Sequence, residues 1–170
     1  YPFEPIQLTL ISTFTVGIPS FLLAMAPNRE RVQGNFLQTI LRNALPGGIT
    51  NVLLLMVLMG LSGFAGLTSA ERGVLAVAAV GFTGLQVLAY TSKPLNLIRA
   101  GLVAAMAAGM LLTALIMPRL FYFEPLSSRG QWLLLALLSL SALALYGLRA
   151  LAQGFVTASV RARQQGAANE

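Results

Sequence analysis

Five stretches of the chain stay apolar for about the thickness of a bilayer, and the polar residues gather between them. They cover about 5–26, 44–67, 73–90, 97–117 and 131–153. Each holds close to the ~20 residues that a helix needs to cross the hydrocarbon layer. The pattern predicts an all-α polytopic membrane protein, a bundle of five transmembrane helices. Pro46 and the Gly47–Gly48 pair open the second run, and Pro118 stops the fourth. The third is the shortest. Between the first two runs, Val32, Phe36, Leu37, Ile40 and Leu41 recur at helical spacing, with Arg31, Gln33, Asn35, Gln38 and Arg42 between them. That spacing predicts an amphipathic connector over 28–43 lying at the cytoplasmic membrane surface. The segment 154–170 is small and polar, which predicts a frayed cytoplasmic tail.

The first run differs from the other four. It carries Gln7, Thr9, Ser12, Thr13, Thr15 and Ser20, with Gly17 and Pro19 near its middle. Pro19 has no N–H, so in a regular α-helix the Thr15 carbonyl loses its donor and is pushed aside. Gly17 lowers the cost of bending there. Thr9, Ser12, Val16, Pro19 and Ser20 fall on roughly one helical face. Free carbonyls and hydroxyls are tolerated in lipid only where protein or a water-filled cavity covers them, and oxygen ligands suit a hard cation. The alternative is a kinked span whose hydroxyls bond back to the carbonyls of their own helix. Both readings are open on the residues alone.

The other spans read as scaffold. Gly60, Gly63 and Gly66 thin the second, Gly81 and Gly84 the third, and Gly101, Ala105 and Gly109 are spaced four apart in the fourth. Small residues at such spacing let helix backbones approach. These spans carry no acid or base away from their ends, so nothing in them marks a proton relay. Phe121, Tyr122, Phe123 and Trp132 are placed as interfacial anchors near one face, Tyr90 and Tyr146 near the other.

Composition narrows the chemistry. The 170-residue chain is 56% apolar and 9% charged, far below the roughly 25% charge of a soluble domain. It has no Cys, His or Asp. Thiolate or imidazole metal sites, Ser-His-Asp and Cys-His triads, and an aspartyl-phosphate are therefore excluded within it. The net charge of +6 is distributed by topology. Arg29, Arg31, Arg42, Lys93, Arg99, Arg149, Arg161 and Arg163 fall on one side; Arg72, Arg119 and Arg129 fall on the other, with Glu4, Glu71 and Glu124. The positive-inside bias makes the first side cytoplasmic and accounts for the whole excess, so no nucleic-acid partner is required. The N-terminal end is then outside and the C-terminus inside. Residue 1 is Tyr and no signal peptide follows it. An earlier membrane helix upstream is the simplest way to place that end outside, which predicts the C-terminal part of a longer protein.

The first span resembles the sixth membrane helix of P-type cation-transporting ATPases of the calcium- and magnesium-type branch, in its bacterial form. The resemblance rests on Pro5, Gln7-Leu8, the polar cluster Ser12 to Thr15, Gly17-Ile18-Pro19 and the exit Pro27-Asn28. It implies that the five spans are the sixth to tenth helices, with the first contributing to the ion pathway through Ser12, Thr15, Val16, Gly17 and Pro19. Ser12 and Val16 stand where well-studied calcium pumps of the family carry an Asn and an Asp that bind the ion, and Thr15 keeps a hydroxyl. The resemblance thus implies a metal site using Ser12, Thr15, freed carbonyls and acidic groups on helices outside this chain. The ion would be divalent, of the Ca2+ or Mg2+ type. It also implies that Arg29, Arg31 and Phe36, on the cytoplasmic connector, dock to a cytoplasmic domain. The phosphorylated Asp-Lys-Thr-Gly motif is missing from this sequence. The chain alone therefore holds no cofactor; ATP and Mg2+ would serve the parent pump. The expected partners are the lipid bilayer and the upstream helices and cytoplasmic domains of the same protein. Two other readings stand beside this one: a non-catalytic small membrane subunit or scaffold of a larger complex, and a fragment of a secondary transporter built on a broken helix. The second of these lacks a matching second broken helix.

Overall fold

The computed structural model describes residues 4–25, 36–92 and 97–167. Among them the chain forms α1 (Pro5–Ser12), a π-helical turn (Thr13–Gly17), α2 (Ile18–Met25), α3 (Phe36–Ala65), α4 (Ser69–Thr91), α5 (Leu97–Ile116) and α6 (Ser128–Ala167), with no strand. Five segments are long and apolar enough to cross a membrane: Pro5–Met25, Asn43–Ala65, Ser69–Thr91, Arg99–Ile116 and Ser128–Ala152. The protein is an all-helical, multi-pass membrane protein. α3 runs unbroken from Phe36 through Pro46, so the stretch before Ala44 continues into the second span. α6 likewise extends past the fifth span to Ala167, where a frayed tail was expected.

Local chemistry sets the boundary between α3 and α4. Gly66 takes a φ of 63°, and the Leu67 N–H reaches back to the Ser62 carbonyl at 3.3 Å. This is the Schellman arrangement, which needs a residue without Cβ strain at the left-handed position. α4 then begins with a capping box. The Glu71 N–H donates to Thr68 Oγ1 (3.1 Å), and the Thr68 N–H donates to Glu71 Oε2 (3.0 Å). The other carboxylate oxygen of Glu71 accepts from the Ser127 N–H at 2.9 Å, which ties the loop before α6 to the start of α4.

α4 is the hub. Leu75, Ala76, Val77, Ala79, Thr83 and Leu88 are buried on several sides of it. One cluster joins it to α3 and α6 through Leu54, Leu58, Leu67, Leu75, Ala76, Ala79 and Leu137. Lipid tails are as apolar as these side chains, so close packing and interhelical hydrogen bonds hold such a bundle together. Thr83 and Ser141 supply one such bond at 2.8 Å between α4 and α6. The Thr83 proton goes to the Ala79 carbonyl, so Ser141 donates, and Ser141 Oγ in turn accepts from Gln86 Nε2 at 3.3 Å.

A second cluster, Leu10, Ile11, Val77 and Phe121, fastens the first span and the 117–127 loop onto α4. Phe121 is therefore a core residue, not the interfacial anchor its position predicted; Tyr122 and Trp132 stay exposed. Gln7 is buried in the same region. Its Nε2 donates to the Phe121 carbonyl at 2.9 Å, and its Oε1 accepts from the Glu4 N–H at 3.1 Å. The end of the bundle carrying this loop is referred to below as the loop end.

A candidate cation path at a broken helix

The first span changes its hydrogen-bond register at the place where its polar residues cluster. Between Thr13 and Gly17 the helix widens to a π turn, and the Ile18 N–H donates to the Thr13 carbonyl, five residues back. Single π turns of this kind concentrate at functional sites. Pro19 is the second residue of α2, directly after the π turn, and has no N–H to offer the turn before it. With the Ile18 bond already shifted to i→i−5, the donor that Pro19 lacks is the one toward Phe14 rather than toward Thr15. The break thus differs from the simple proline kink expected at the Thr15 carbonyl.

Two adjacent side chains of the π turn grip neighbouring helices through glycines. A Cβ on Gly84 of α4 would lie 2.7 Å from Thr15 Cγ2, and one on Gly109 of α5 would lie 2.6 Å from Phe14 Cε1. The expected small-residue seam of α5 is thus used at Gly109; a Cβ on Gly101 meets nothing.

Beside the π turn a cleft of about 400 Å³ opens between the first span, α3 and α4. Thr15, Val16, Pro19 and Ser20 form one wall, Gly47, Gly48 and Asn51 a second, and Gly84, Val87 and Thr91 the third. Its polar atoms are all neutral oxygens and amide groups. The Asn51 Oδ1 is buried without a hydrogen-bond partner. A buried carbonyl oxygen of this kind is costly unless something donates to it or is coordinated by it.

Of the residues singled out from the sequence, some line the cleft and some do not. Thr15, Val16 and Pro19 line the cleft, whereas Ser12 and Gly17, both exposed, do not. Val16 is 60% exposed while also bordering the cleft. The hydroxyls bond back to their own helix: Thr9 to the Pro5 carbonyl (3.4 Å), Ser12 to Thr9 (3.1 Å) and Thr15 to Ile11 (2.7 Å). This is the arrangement of the kinked-span alternative. It does not exhaust the oxygens, because a hydroxyl that donates its proton keeps lone pairs for a cation. Among the described residues no group of three His, Cys, Asp or Glu side chains could hold a metal ion. A cation at Thr15 would therefore need carboxylates from elsewhere. Arg29 and Arg31 lie outside the described residues, as does the side chain of Phe36.

Sequence reasoning passed over Asn51, Gly47, Gly48 and Gly84 as parts of this cleft. The signal for Asn51 was present: it is a polar amide within a largely apolar span. The glycines gave none, because their place beside the first span depends on helix packing.

The chain is 32% identical over 132 residues to the calcium-transporting ATPase CtpE of Mycolicibacterium smegmatis, a match covering 74% of this chain and 17% of that protein. It is 30% identical over 120 residues to the probable cation-transporting ATPase exp7 of Streptococcus pneumoniae, covering 71% of this chain and 15% of that protein. A shorter match, 43% over 49 residues, covers 29% of this chain and 6% of the calcium-transporting ATPase CtpE of Mycobacterium bovis. The chain thus spans about a sixth of the length of the relatives it matches most fully. No family model and no solved structure matches it. With five membrane-crossing helices and this similarity over three quarters of its length, the chain belongs to the P-type cation-transporting ATPases of bacteria.

Proposed function

We propose that this chain is the sixth-to-tenth-helix part of an ATP-driven divalent-cation pump, that its first span lines the ion path, and that α3 to α6 brace it. The observation that carries the reading is the π turn: it sets Thr15 and Pro19 against a cleft in the most polar span. Ser12 and Thr15 would offer hydroxyl oxygens, and Gly17 and Val16 leave the neighbouring face open to further helices of the whole protein. The carboxylates that a hard cation requires would come from those helices. The names of the relatives favour Ca2+ as the first ion to try. ATP and Mg2+ would act on cytoplasmic domains beyond this chain, with Arg29, Arg31 and Phe36 on the surface that meets them. The positive-inside bias supports an external loop end and a cytoplasmic C-terminus.

The test is Thr15→Val in the full-length protein, a nearly isosteric change that removes one hydroxyl. Half-saturation of Ca2+-dependent phosphorylation by ATP should rise roughly tenfold, the scale of one lost charge-associated ligand contact. An unchanged Ca2+ dependence at normal expression would remove the first span from the path and leave it a brace.

A further inference from the structure

We infer that Gln7 is a positioning residue for cation binding: it pins the loop end of the first span, so that movement of this span is confined to the π turn and α2. The inference rests on the cation-path reading above and assigns a part of it to a residue far from the cleft.

Gln7 is 2% exposed, and both ends of its amide are in use. A buried amide costs stability unless it is satisfied, and an apolar side chain would fill the same space without that demand. What the amide adds is direction, because the bond to the Phe121 carbonyl forms in only one placement of the helix. That carbonyl is itself held. Phe121 is buried against Leu10, Ile11 and Val77. The next residue, Tyr122, sits at a φ of 53°, which a non-glycine side chain adopts only where its surroundings require it. The Phe123 N–H closes the turn on the Pro118 carbonyl at 2.8 Å, and Ser127 is bonded to Glu71 at the start of α4. An unbroken series of contacts therefore runs from the first span through the loop to the hub helix.

The other end of the same span is held differently. Between Ile18 and Met25 only Pro19 is buried, while Phe21 and Met25 are 66% and 69% exposed within this chain. Within this chain one half is fastened and the other is largely uncovered, and the π turn separates them. Thr15 takes its place from the fastened half, because its hydroxyl bonds to the Ile11 carbonyl. Releasing Gln7 should therefore misplace Thr15 without touching the cleft.

The experiment uses the full-length pump, with Ca2+ as the probe, and compares Gln7→Ala, Gln7→Glu and Thr15→Val. Gln7→Glu keeps an acceptor for the Glu4 N–H and, when ionised, has no donor for the Phe121 carbonyl; comparing it above and below its titration isolates the tie. The readouts are the Ca2+ concentration for half-maximal phosphorylation, the maximal level, and the thermal midpoint of the purified protein. Both Gln7 variants should raise half-saturation on the order of fivefold, the equilibrium cost of one buried hydrogen bond, with the maximal level little changed. A lowered thermal midpoint with unchanged half-saturation makes Gln7 merely structural and overturns the inference. Cysteines at Gln7 and Phe121, joined by a short bifunctional thiol reagent, replace the hydrogen bond with a covalent tie. Half-saturation should recover on cross-linking; loss of turnover would show that this end has to move, and would overturn it. If the Gln7 variants do not accumulate, Tyr122→Val, a β-branched residue that disfavours the positive φ, loosens the loop without removing a packed side chain. It should shift half-saturation in the same direction, and no shift counts against the inference. A shift in Thr15→Val with none at Gln7 defeats this inference alone, whereas no shift in Thr15→Val defeats the cation-path reading as well.

Discussion

Thr15 and Gly84 occupy each other's space: a Cβ on Gly84 would stand 3.0 Å from Thr15 Cβ and 2.7 Å from its Cγ2. The π turn of the first span is thereby seated directly on the backbone of α4, and the cleft starts at this contact. Gly84→Ala should push the two helices apart. Overpacking of this kind costs about 1–3 kcal/mol, which a thermal or denaturant midpoint of the purified protein measures. Because the displaced side chain is Thr15, Ca2+ dependence should weaken alongside stability. Gly60→Ala in α3, away from the cleft and where a Cβ meets nothing within 4 Å, is the control: Ca2+ dependence should be unchanged and stability should not fall.

Pro19→Ala separates folding from function. Alanine restores an N–H and a better helix former, so the folded state should be as stable or more stable. The gain should fall short of the ~3 kcal/mol of a mid-helix proline, because the π turn already widens the backbone ahead of its ring. The restored donor also allows the span to return to an α register and draw Thr15 away from the cleft. Ca2+-dependent phosphorylation should weaken at normal expression, and an unaltered Ca2+ curve would contradict this account of the π turn.

Glu71→Ala should act mainly on stability. It deletes half of the capping box and the acceptor for the Ser127 N–H. Loss of a cap costs about 1 kcal/mol and loss of the loop contact a similar amount. The thermal midpoint should fall while half-saturation by Ca2+ shifts less than in the Gln7 variants, because the Gln7 bond to the loop is kept.

Thr83 and Ser141 permit a double-mutant cycle across α4 and α6. Thr83→Val and Ser141→Ala each remove one hydroxyl of the 2.8 Å pair. Interhelical hydrogen bonds in membrane proteins average ~0.6 kcal/mol in such cycles. A coupling of that size, read from unfolding in detergent, is expected; a coupling near zero would mean that Gln86 substitutes for the lost partner.

The spans were legible because the requirement behind them is one-dimensional. A bilayer crossing needs a certain length of apolar helix, and length and polarity are read directly along the chain. The start of α4 was also written locally, in Thr68 and Glu71, as was its approach through Gly66. The polar character of the first span could be read from Thr15, Gly17 and Pro19. Its π turn could not, because a proline and a glycine are equally compatible with a kink. Phe121 shows the opposite failure: its position predicted a lipid anchor, and only the fold buries it beside Leu10 and Ile11.

The residues by themselves determined five membrane helices and the one span rich in oxygen atoms. Each of these depends on neighbours a few positions away or on the lipid, and both are properties of the linear chain. Tertiary structure alone decided which oxygens share a space. Thr15, Asn51 and Thr91 meet around one cleft although 36 residues or more separate each from the next, and Gln7 meets a carbonyl 114 residues away. Such meetings depend on how far two backbones can approach, and that is fixed by the absence of a side chain at Gly84 and Gly47, to which hydropathy is blind.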